Sequence, residues 1–351
     1  MKLVSIIMPV YNAQEYVARA LESLVGQTYK NIEILAIDDG STDGSLEIMS
    51  GYAAKDKRVK VITQANAGCA SVRNIGLAAA SGEYIMFCDA DDWYNLDMVE
   101  RMISAIERPG VDFAVCLFNI DGDPYDRGKM KYLELCNKHP LLPALGAASI
   151  ESVFIWDKIF KKSVIDRQGV RFPDTGGCED ALFFYEYRLV AGDFYILRER
   201  LYNKTMREDS MWNFYTAGGE NKWSPFFMLE RLAAFLDERG LLASRAAALF
   251  DITKRNLLFA RKEGFITERQ SRLIIRRMNY FLRGTPFVFV PHSDRLVFAN
   301  ARTSGLRVKL IAFTRGLSRD IEPFDKFRAR MERGKPSFSW RVSAMPQSRR
   351  E

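Results

Sequence analysis

Short apolar runs alternate with amphipathic segments along about the first 120 residues of the chain. The apolar runs have the length of β-strands and lie at residues 3–8, 32–37, 59–62, 84–88 and 113–118. Between them, apolar side chains recur at helical spacing, as in Glu15–Val25. Strands that alternate with helices of about ten residues are typical of βαβ units. The pattern predicts a Rossmann-like α/β fold in which a mostly parallel sheet is flanked by helices.

The pattern changes twice further along the chain. Residues 121–138 are rich in Gly, Pro and charge and predict a loop, after which helices are predicted at 149–160 and 179–190 and a strand at 194–197. Beyond Trp212 the apolar spacing becomes helical, at residues 225–239, 242–262 and 267–282. We therefore predict a first domain at residues 1–211. A basic, mainly helical C-terminal region follows at residues 212–351, with a flexible tail from Arg328.

Polar clusters follow each of the first four predicted strands. They are Pro9–Asn12, Asp38–Ser41, Asn66–Asn74 and Asp89–Asp92. Turns favour Gly, Asn and Asp, so any one cluster could be only a turn. The carboxyl ends of parallel strands lie at one edge of a sheet, where open α/β folds bind their ligands. We expect the four clusters to meet there and to form a binding site.

The fourth cluster contains two carboxylates, Asp89 and Asp91, that are two positions apart directly after a buried strand. Such side chains can converge on one cation, and hard oxygen ligands suit Mg²⁺ or Mn²⁺ holding a diphosphate. The alternative is a solvated acidic turn that caps the helix beginning near Asn95. The residues alone leave both interpretations open.

Length and composition argue against a membrane-spanning, secreted or zinc-binding protein. The chain has 351 residues, no apolar run near the roughly 20 residues that span a bilayer, and five cysteines without a Cys-x-x-Cys pair. The run at residues 3–8 is too short for the core of a signal peptide. We therefore predict a cytoplasmic protein with reduced thiols and neither zinc nor disulfides.

The net charge of +7 is unevenly distributed along the chain. Residues 212–351 contain 27 Lys and Arg against 13 Asp and Glu, and residues 1–211 are acidic. The first interpretation of this basic region is a solvated helical face, and the second is a surface that binds an anionic membrane. No nucleic-acid partner is expected, because no platform of interleaved aromatic and basic residues stands out.

The clusters resemble the ordered motifs of family 2 glycosyltransferases. The matching motifs are Pro9-Val10-Tyr11-Asn12, Asp38-Asp39-Gly40-Ser41-Thr42-Asp43, Asn66-x-Gly68, Arg73-Asn74-x-Gly76 and Asp89-Ala90-Asp91-Asp92-Trp93. Later segments resemble the bacterial surface-polysaccharide branch: Trp156-Asp157-Lys158-Ile159-Phe160, Arg171-Phe172-Pro173 and Glu179-Asp180. The resemblance covers about residues 3–210. It implies a GT-A fold, a nucleotide-diphospho-sugar donor, expected to be a UDP-sugar, and inversion at the anomeric carbon.

The resemblance also implies roles for single residues on the donor side. Nucleotide contacts are expected from Pro9, Tyr11, Asn12, Asp38, Asp39, Arg73, Asp89 and Arg207. Asp39 suits the N–H edge of the base, because an ionised carboxylate only accepts hydrogen bonds. Asp91, with Asp89, would hold Mn²⁺ or Mg²⁺ at the diphosphate. Some family members add a late histidine to the metal, but neither His139 nor His292 lies in a matching motif.

On the acceptor side, the family motif places the catalytic base at Asp180, with Glu179 beside it. The alternative is that both acids only form the first turn of a helix, where they complement its dipole. Trp156 and Lys158 are expected on the acceptor side, although Trp156 also fits a core position. The function predicted is sugar transfer to a hydroxyl of a glycan or lipid-linked acceptor in surface polysaccharide synthesis.

Two rival functions stay open at this point. A sugar-phosphate nucleotidyltransferase shares the α/β fold and Mg²⁺, but its Gly-rich basic loop is not matched by Pro9–Asn12. A non-catalytic scaffold in a membrane-associated glycan assembly is the other rival, and the intact acidic residues count against it.

Overall fold

The computed structural model describes residues 1–120, 141–143, 153–174, 179–205, 225–262, 274–276, 279, 287–292, 295–300 and 309–311. The strands are β1 Val4–Val10, β2 Ile32–Asp38, β3 Val59–Thr63, β4 Tyr84–Phe87, β5 Trp93–Tyr94, β6 Val111–Ile120, β7 Leu141–Pro143, β8 Lys158–Lys161, β9 Asp193–Lys204, β10 Phe287–His292, β11 Arg295–Asn300 and β12 Lys309–Ile311. The helices are α1 Val17–Val25, α2 Ser45–Lys55, α3 Cys69–Ala79, α4 Met98–Ile106, α5 Lys162–Gln168, α6 Glu179–Val190, α7 Pro225–Asp237 and α8 Leu242–Lys262.

Nine of the described strands form one sheet. Its order is β3-β2-β1-β4-β8-β6-β9-β5, and β7 pairs with β9. The strands β3, β2, β1 and β4 are parallel, whereas β8 is antiparallel to both of its neighbours. Helices pack against this sheet, among them α3 on β1 and β2 and α4 on β6. The predicted α/β fold is confirmed, with a parallel first half and a mixed second half.

The register of the parallel half aligns the strand ends. All residues of β1 and β2 are buried, as expected for strands covered on both faces. Val10 pairs with Asp38, Asp38 with Thr63, and Ile7 with Phe87. The chain therefore leaves β1, β2, β3 and β4 at one edge of the sheet, which is where the polar clusters begin.

Aromatic packing fixes α6 beside the end of β4. The ring of Phe183 in α6 stacks on Phe172 at 4.1 Å between centroids and meets Phe87 of β4 edge-on at 5.8 Å. The Asn74 side chain in α3 bonds the backbone of Phe172 twice, at 2.7 and 3.0 Å. Aromatic pairs at these separations contribute about 0.5–1.5 kcal/mol beyond their burial. The first turn of α6, which carries Glu179 and Asp180, is thus held against the sheet.

The helix predicted at residues 149–160 is wrong for the part that the structure describes. Residues 158–161 form β8, which lies between β4 and β6. Ile159 and Phe160 point to opposite faces and are both fully buried, and each face also carries a lysine, so this strand shows no two-residue alternation. A short run of this kind cannot be told from a buried helix by periodicity alone.

The chain divides into two compact units, Met1–Thr285 and Pro286–Glu351. Within the first unit, α7 packs against α6 and α8. Within the second, β10, β11 and β12 form an antiparallel sheet that the sequence analysis did not predict. In the part of the chain that the structure describes, no helix is long and apolar enough to cross a membrane.

Several predictions fall outside the described residues. The loop at 121–138, the helix at 267–282 except for 274–276 and 279, and the tail from Arg328 are among them. The domain boundary between residues 211 and 212 stays a prediction for the same reason.

Candidate active site

The loops that follow β1 and β2 are joined by hydrogen bonds. The backbone N–H of Asn12 donates to Ser41 Oγ at 3.0 Å, and Asn12 Oδ1 accepts from the N–H of Thr42 at 2.8 Å. Asn12 has a φ of 45°, in the left-handed region that Asn adopts more readily than most residues. The predicted meeting of the first two clusters is confirmed, and Asn12 is the residue that joins them.

Asp39 joins the loop after β2 to the loop after β3. Its Oδ1 accepts from Gln64 Nε2 at 2.6 Å and from the N–H of Ala67 at 2.9 Å, and its Oδ2 accepts from the N–H of Gly68 at 2.9 Å. A carboxylate has about four acceptor positions. Asp39 therefore keeps acceptor capacity on Oδ2, and its predicted contact with a nucleotide base stays a prediction.

Three other residues predicted to contact the nucleotide lie at the same edge. Tyr11 is 53% exposed, one of the few large hydrophobic side chains left open among the described residues. Pro9 is buried in β1. Asp38 is buried and accepts from the N–H of Ser41 at 3.2 Å. The exposed ring of Tyr11 is suited to stack on a base, whereas Pro9 and Asp38 shape the loops around it.

Three carboxylates meet after β4. Asp89, Asp91 and Asp92 each offer one oxygen, and these oxygens lie within 4.8 Å of one another. Asp92 is fully buried, so the alternative of a solvated acidic turn is wrong for this residue. Its Oδ2 accepts from the Tyr202 hydroxyl at 2.6 Å, and its Oδ1 accepts from the N–H of Thr205 at 2.7 Å. Burial and the nearby charge of Asp89 raise the pKa of Asp92 to about 7.

The acid cluster fits a hard divalent cation. The oxygens of Asp92 are occupied by protein donors, whereas Asp89 and Asp91 are both partly exposed. Carboxylate oxygens at this spacing suit Mg²⁺ or Mn²⁺, whose remaining ligands are usually substrate phosphates and water. Asp91 and Asp89 are the residues that would hold the ion.

A basic side chain borders the acid cluster on the β9 side. Lys204 Nζ lies 3.5 Å from Asp92 Oδ2 and 5.7 Å from the centre of the Trp156 ring. Burial alone would lower the pKa of Lys204, but the charges of the aspartates outweigh it and the pKa is raised. Lys204 therefore stays protonated and partly offsets the cluster.

Arg19 of α1 fixes the backbone of the acid cluster from the other side. Its guanidinium lies 3.8 Å over the Trp93 ring. It also donates to Thr205 Oγ1 at 2.8 Å and to the Asp91 carbonyl at 3.3 Å, and Thr205 Oγ1 donates to the same carbonyl. These contacts tie α1, the acid cluster and the end of β9 together.

Arg73 of α3 is buried and faces three carboxylates. Its Nη1 lies 3.0 Å from Glu179 Oε1 and 2.7 Å from Asp180 Oδ1, and its Nη2 lies 3.3 Å from Asp89 Oδ1. The sequence analysis expected this side chain to contact the nucleotide. Both terminal nitrogens instead engage carboxylates.

Asp180 lies in the first turn of α6 and keeps a quarter of its side-chain surface exposed. Loss of solvation raises its pKa, Arg73 opposes the rise, and the charges of Glu179 and Asp89 add to it; the resulting pKa is about 7. Glu179 is buried and accepts from Arg73. The two acids that the family motif designates therefore share a site with Asp89 rather than only capping a helix.

The two residues assigned to the acceptor side are interior. Trp156 is 2% exposed and stacks on Tyr202 at 4.4 Å between ring centroids. The Lys158 side chain is fully buried, donates to Asp157 Oδ1 at 2.7 Å and lies over the Phe184 ring. Neither side chain is open to a ligand, so direct contact with an acceptor is not supported by their positions. The packing alternative for Trp156 is the one that its burial favours.

Sequence reasoning missed Lys204, Tyr202, Thr205 and Arg19, which surround the acid cluster. The residues of β9 are separated from Asp92 by more than 100 positions, and only their pairing with β5 brings them there. Arg19 carried no signal beyond an exposed position on a predicted helix. Arg207 lies outside the described residues, so its expected contact with the diphosphate stays a prediction.

Comparisons with known proteins agree on one family. The family model described as glycosyl transferase family 2 matches residues 5–172. Glycosyltransferase EpsH of Bacillus subtilis is 33% identical over 250 residues, which are 68% of this chain and 70% of EpsH. Glycosyltransferase GlyA of Streptococcus pneumoniae is 32% identical over 232 residues, which are 63% of this chain and 32% of GlyA.

Solved structures share the fold at lower identity. TarS of S. aureus, residues 1–349 in complex with UDP-GlcNAc, has a TM-score of 0.62 at 21% identity, covering 88% of this chain and 99% of that one. The mannosyltransferase PcManGT from Pyrobaculum calidifontis, in complex with GDP-Man and Mn²⁺, has a TM-score of 0.50 at 16% identity. The match covers 80% of this chain and 81% of that one. At these identities the likeness concerns the fold alone.

Proposed function

Because the chain belongs to glycosyl transferase family 2, we propose that it is a metal-dependent, inverting enzyme that transfers a sugar from a UDP-sugar. The acceptor is a hydroxyl group of a glycan or of a lipid-linked sugar. The observation that carries the proposal is that Asp180, the motif's base, and Asp89, a member of the acid cluster, contact the same guanidinium. Chemistry on the donor and on the acceptor can therefore occur in one place.

The charge of the site supports a divalent ion. Among the described residues there, five carboxylates meet three basic side chains: Asp89, Asp91, Asp92, Glu179 and Asp180 against Arg73, Lys204 and Arg19. A diphosphate would add further negative charge. When bound, Mn²⁺ or Mg²⁺ supplies Lewis-acid stabilisation of the departing diphosphate. Asp91 and Asp89 are the residues that would hold it.

The remaining chemistry belongs to the side chains. A hydroxyl group attacks well only when its proton is removed, and a base with a pKa near the working pH does this best. Asp180, with a pKa of about 7, would accept the proton while the acceptor oxygen bonds to the anomeric carbon. The bond from that carbon to the diphosphate oxygen breaks, and its electron pair leaves with the diphosphate. A single displacement of this kind inverts the configuration.

The choice of UDP rests on two observations. TarS residues 1–349 has been solved with UDP-GlcNAc and with UDP, which favours UDP over the GDP seen with PcManGT. The exposed Tyr11 ring and Asp39 Oδ2 offer a stacking surface and an acceptor for the N–H of uracil. A hexosyl or N-acetylhexosaminyl donor fits this class.

The two rivals are less well supported. A nucleotidyltransferase needs a Gly-rich basic loop after β1, whereas here Pro9 and Val10 end β1 and Asn12 is bonded to the loop after β2. A non-catalytic scaffold would not need a partly exposed acid with a raised pKa beside the acid cluster.

A panel of nucleotide-sugars tests the proposal. A donor that binds only the folded state raises the melting temperature, by an amount that grows with its concentration. We expect stabilisation by a UDP-sugar with Mn²⁺ and little without it. Asp91→Asn should lose that stabilisation and most turnover while keeping its fold, and Asp97→Asn, an acid at the start of α4, serves as the matched control. Full turnover of Asp91→Asn, or of the wild type in excess chelator, would exclude the metal mechanism.

A further inference from the structure

Arg73 contacts both halves of the site. We propose that Arg73 is a positioning residue, which sets the placement of the base Asp180 relative to Asp89, and that it does not act as a nucleotide ligand. The inference rests on the proposed function for its reaction and on the geometry around Arg73 for its mechanism.

The contacts of Arg73 come from three parts of the fold. Arg73 belongs to α3, Asp89 follows β4, and Glu179 and Asp180 begin α6. The three nitrogen-to-oxygen distances are 2.7, 3.0 and 3.3 Å. A guanidinium is planar and rigid, with donors pointing in fixed directions, so it can hold several carboxylates at set separations.

Burial argues against a nucleotide ligand. Arg73 is 4% exposed, and its two terminal nitrogens already face the carboxylates. Turning toward a nucleotide would leave Glu179 buried beside two other acids without its cation. A buried charge that loses its partner is strongly destabilised, so Arg73 is expected to stay where it is.

A second contact links the same elements. The Arg73 guanidinium lies 5.5 Å from the centre of the Phe172 ring, the ring on which Phe183 of α6 stacks. The neighbouring Asn74 bonds the backbone of Phe172. Helix α3 is therefore linked to α6 indirectly, through Phe172, and directly, through the ion pairs of Arg73, and only the ion pairs reach Asp180.

The ion pair with Asp180 leaves that carboxylate able to react. Asp180 Oδ1 is 2.7 Å from Arg73 Nη1, yet among the described residues it has no hydrogen-bond partner of adequate geometry. The attraction is electrostatic, and Oδ1 itself is closed to solvent. The exposed quarter of the side chain therefore does not include Oδ1, and a hydroxyl group of an acceptor could donate to Oδ2 while the guanidinium keeps the carboxylate in place.

Substitutions at Arg73 test the proposal against a matched arginine elsewhere. Arg73→Met removes the charge and keeps much of the side-chain volume. Arg73→Lys keeps the positive charge but not the planar set of donors of the guanidinium. The control, Arg58→Met, removes a partly buried, ion-paired arginine outside the site. Displacing a catalytic group by about 1 Å can cost about 10²-fold in rate. We expect kcat of Arg73→Met to fall by about that factor, with Arg73→Lys intermediate and Arg58→Met near wild type. The Kd for UDP with Mn²⁺ should rise by a much smaller factor than the factor by which kcat falls, because Arg73 reaches the donor only through Asp89.

Hydrogen exchange supplies a readout that needs no substrate. Arg73→Met should exchange faster in the first turn of α6 and after β4, with the rest of the sheet unchanged. Unchanged exchange in both segments would overturn the positioning role, and so would a large rise in the Kd for UDP with kcat preserved, which is the pattern of a nucleotide ligand. If the wild type transfers no sugar from any UDP-sugar, the proposed function fails, whereas the exchange data still decide whether Arg73 holds the two segments together.

Discussion

At the scale of single residues, the site combines acids in different environments within a short distance. Asp92 is enclosed and bonded to Tyr202 and Thr205, Asp91 is partly exposed, and Asp180 keeps a quarter of its side chain open. Environment decides the role of each carboxylate. Asp92 is buried and each of its oxygens accepts a hydrogen bond from the protein, so we expect it to be a structural residue inside a functional motif.

Asp180→Asn separates catalysis from binding. The amide keeps the shape of the carboxylate but cannot accept the acceptor's proton, and general-base catalysis is typically worth about 10²–10⁴ in rate. We expect kcat to fall by roughly that factor, while the affinity for UDP with Mn²⁺ stays near wild type. Calorimetric titration and initial-rate kinetics measure the two quantities. Normal turnover would move the base elsewhere, with Glu179 next, and loss of folding would make the pair structural.

Glu186 gives a prediction about pH and stability. Its side chain is 1% exposed, and Arg231 Nε lies 2.9 Å from its Oε1. Burial raises its pKa from 4.5 to about 7, although Arg231 and Arg239 oppose the rise, and Glu238 adds to it. The folded state thus binds this proton more tightly than the unfolded state. The resulting stabilisation is complete below pH 4.5 and is lost as the pH rises through 7.

Glu186→Gln removes that titration. The difference in unfolding free energy between variant and wild type should change by up to about 3 kcal/mol between pH 4.5 and 8. The wild type becomes less stable relative to the variant as the pH rises. Denaturant unfolding at several pH values measures it. Parallel curves for the two proteins would show that Glu186 titrates normally in the folded state.

At the scale of elements, the sequence predicted well those that carry a clear apolar run or a helical period. The positions of β1 to β4 followed from short apolar runs and those of α1 and α3 from helical spacing, and α6 was predicted at its observed bounds. The acid cluster was found because it follows such an element, whereas Glu179 and Asp180, which begin α6, were singled out only by the family resemblance. Residues 158–160 of β8 were assigned to a helix, because a buried strand between two others shows no alternation. The partners of Lys204 and Arg73 are distant in sequence and meet these side chains only in the folded chain, so no local sequence pattern could predict them.

The packing of α3 on the sheet predicts the effect of one methyl group. A Cβ at Gly76 would lie 2.4 Å from Ile7 Cγ2 and 3.0 Å from Ile37 Cδ1, whereas a Cβ at Gly51 in α2 would meet nothing within 4 Å. Gly76→Ala should destabilise by about 1–3 kcal/mol through overpacking. Gly51→Ala, the matched control, should stabilise by about 0.5–1 kcal/mol through helix propensity. Thermal unfolding measures both, and equal effects would mean that α3 does not approach β1 closely.

At the scale of the whole molecule, charge is the property that distinguishes the two parts of the chain. The formal net charge is +14 for residues 212–351 and −7 for residues 1–211. The candidate site belongs to the acidic part. A lipid-linked acceptor lies at an anionic membrane surface, so a basic region could bring the enzyme to it.

Liposome flotation tests docking on such a surface. Basic residues near an anionic surface contribute about 1 kcal/mol each, and salt screens the attraction. We expect the full chain to float with anionic liposomes at low salt and to be released at high salt. Equal binding to neutral liposomes, or no binding to either, would leave the basic region as a solvated surface.

The position of β8 has a consequence for the order in which the chain folds. β4 pairs with β1 on one side, but its other side pairs with β8, whose residues come about 70 positions later. During synthesis, the parallel strands can assemble while β4 still presents an unpaired backbone of wholly buried residue types. Open strands of this kind invite pairing with other chains. We expect fragments that end before residue 158 to aggregate and fragments that extend through β9, which closes the other side of β6, to remain monomeric in size-exclusion chromatography.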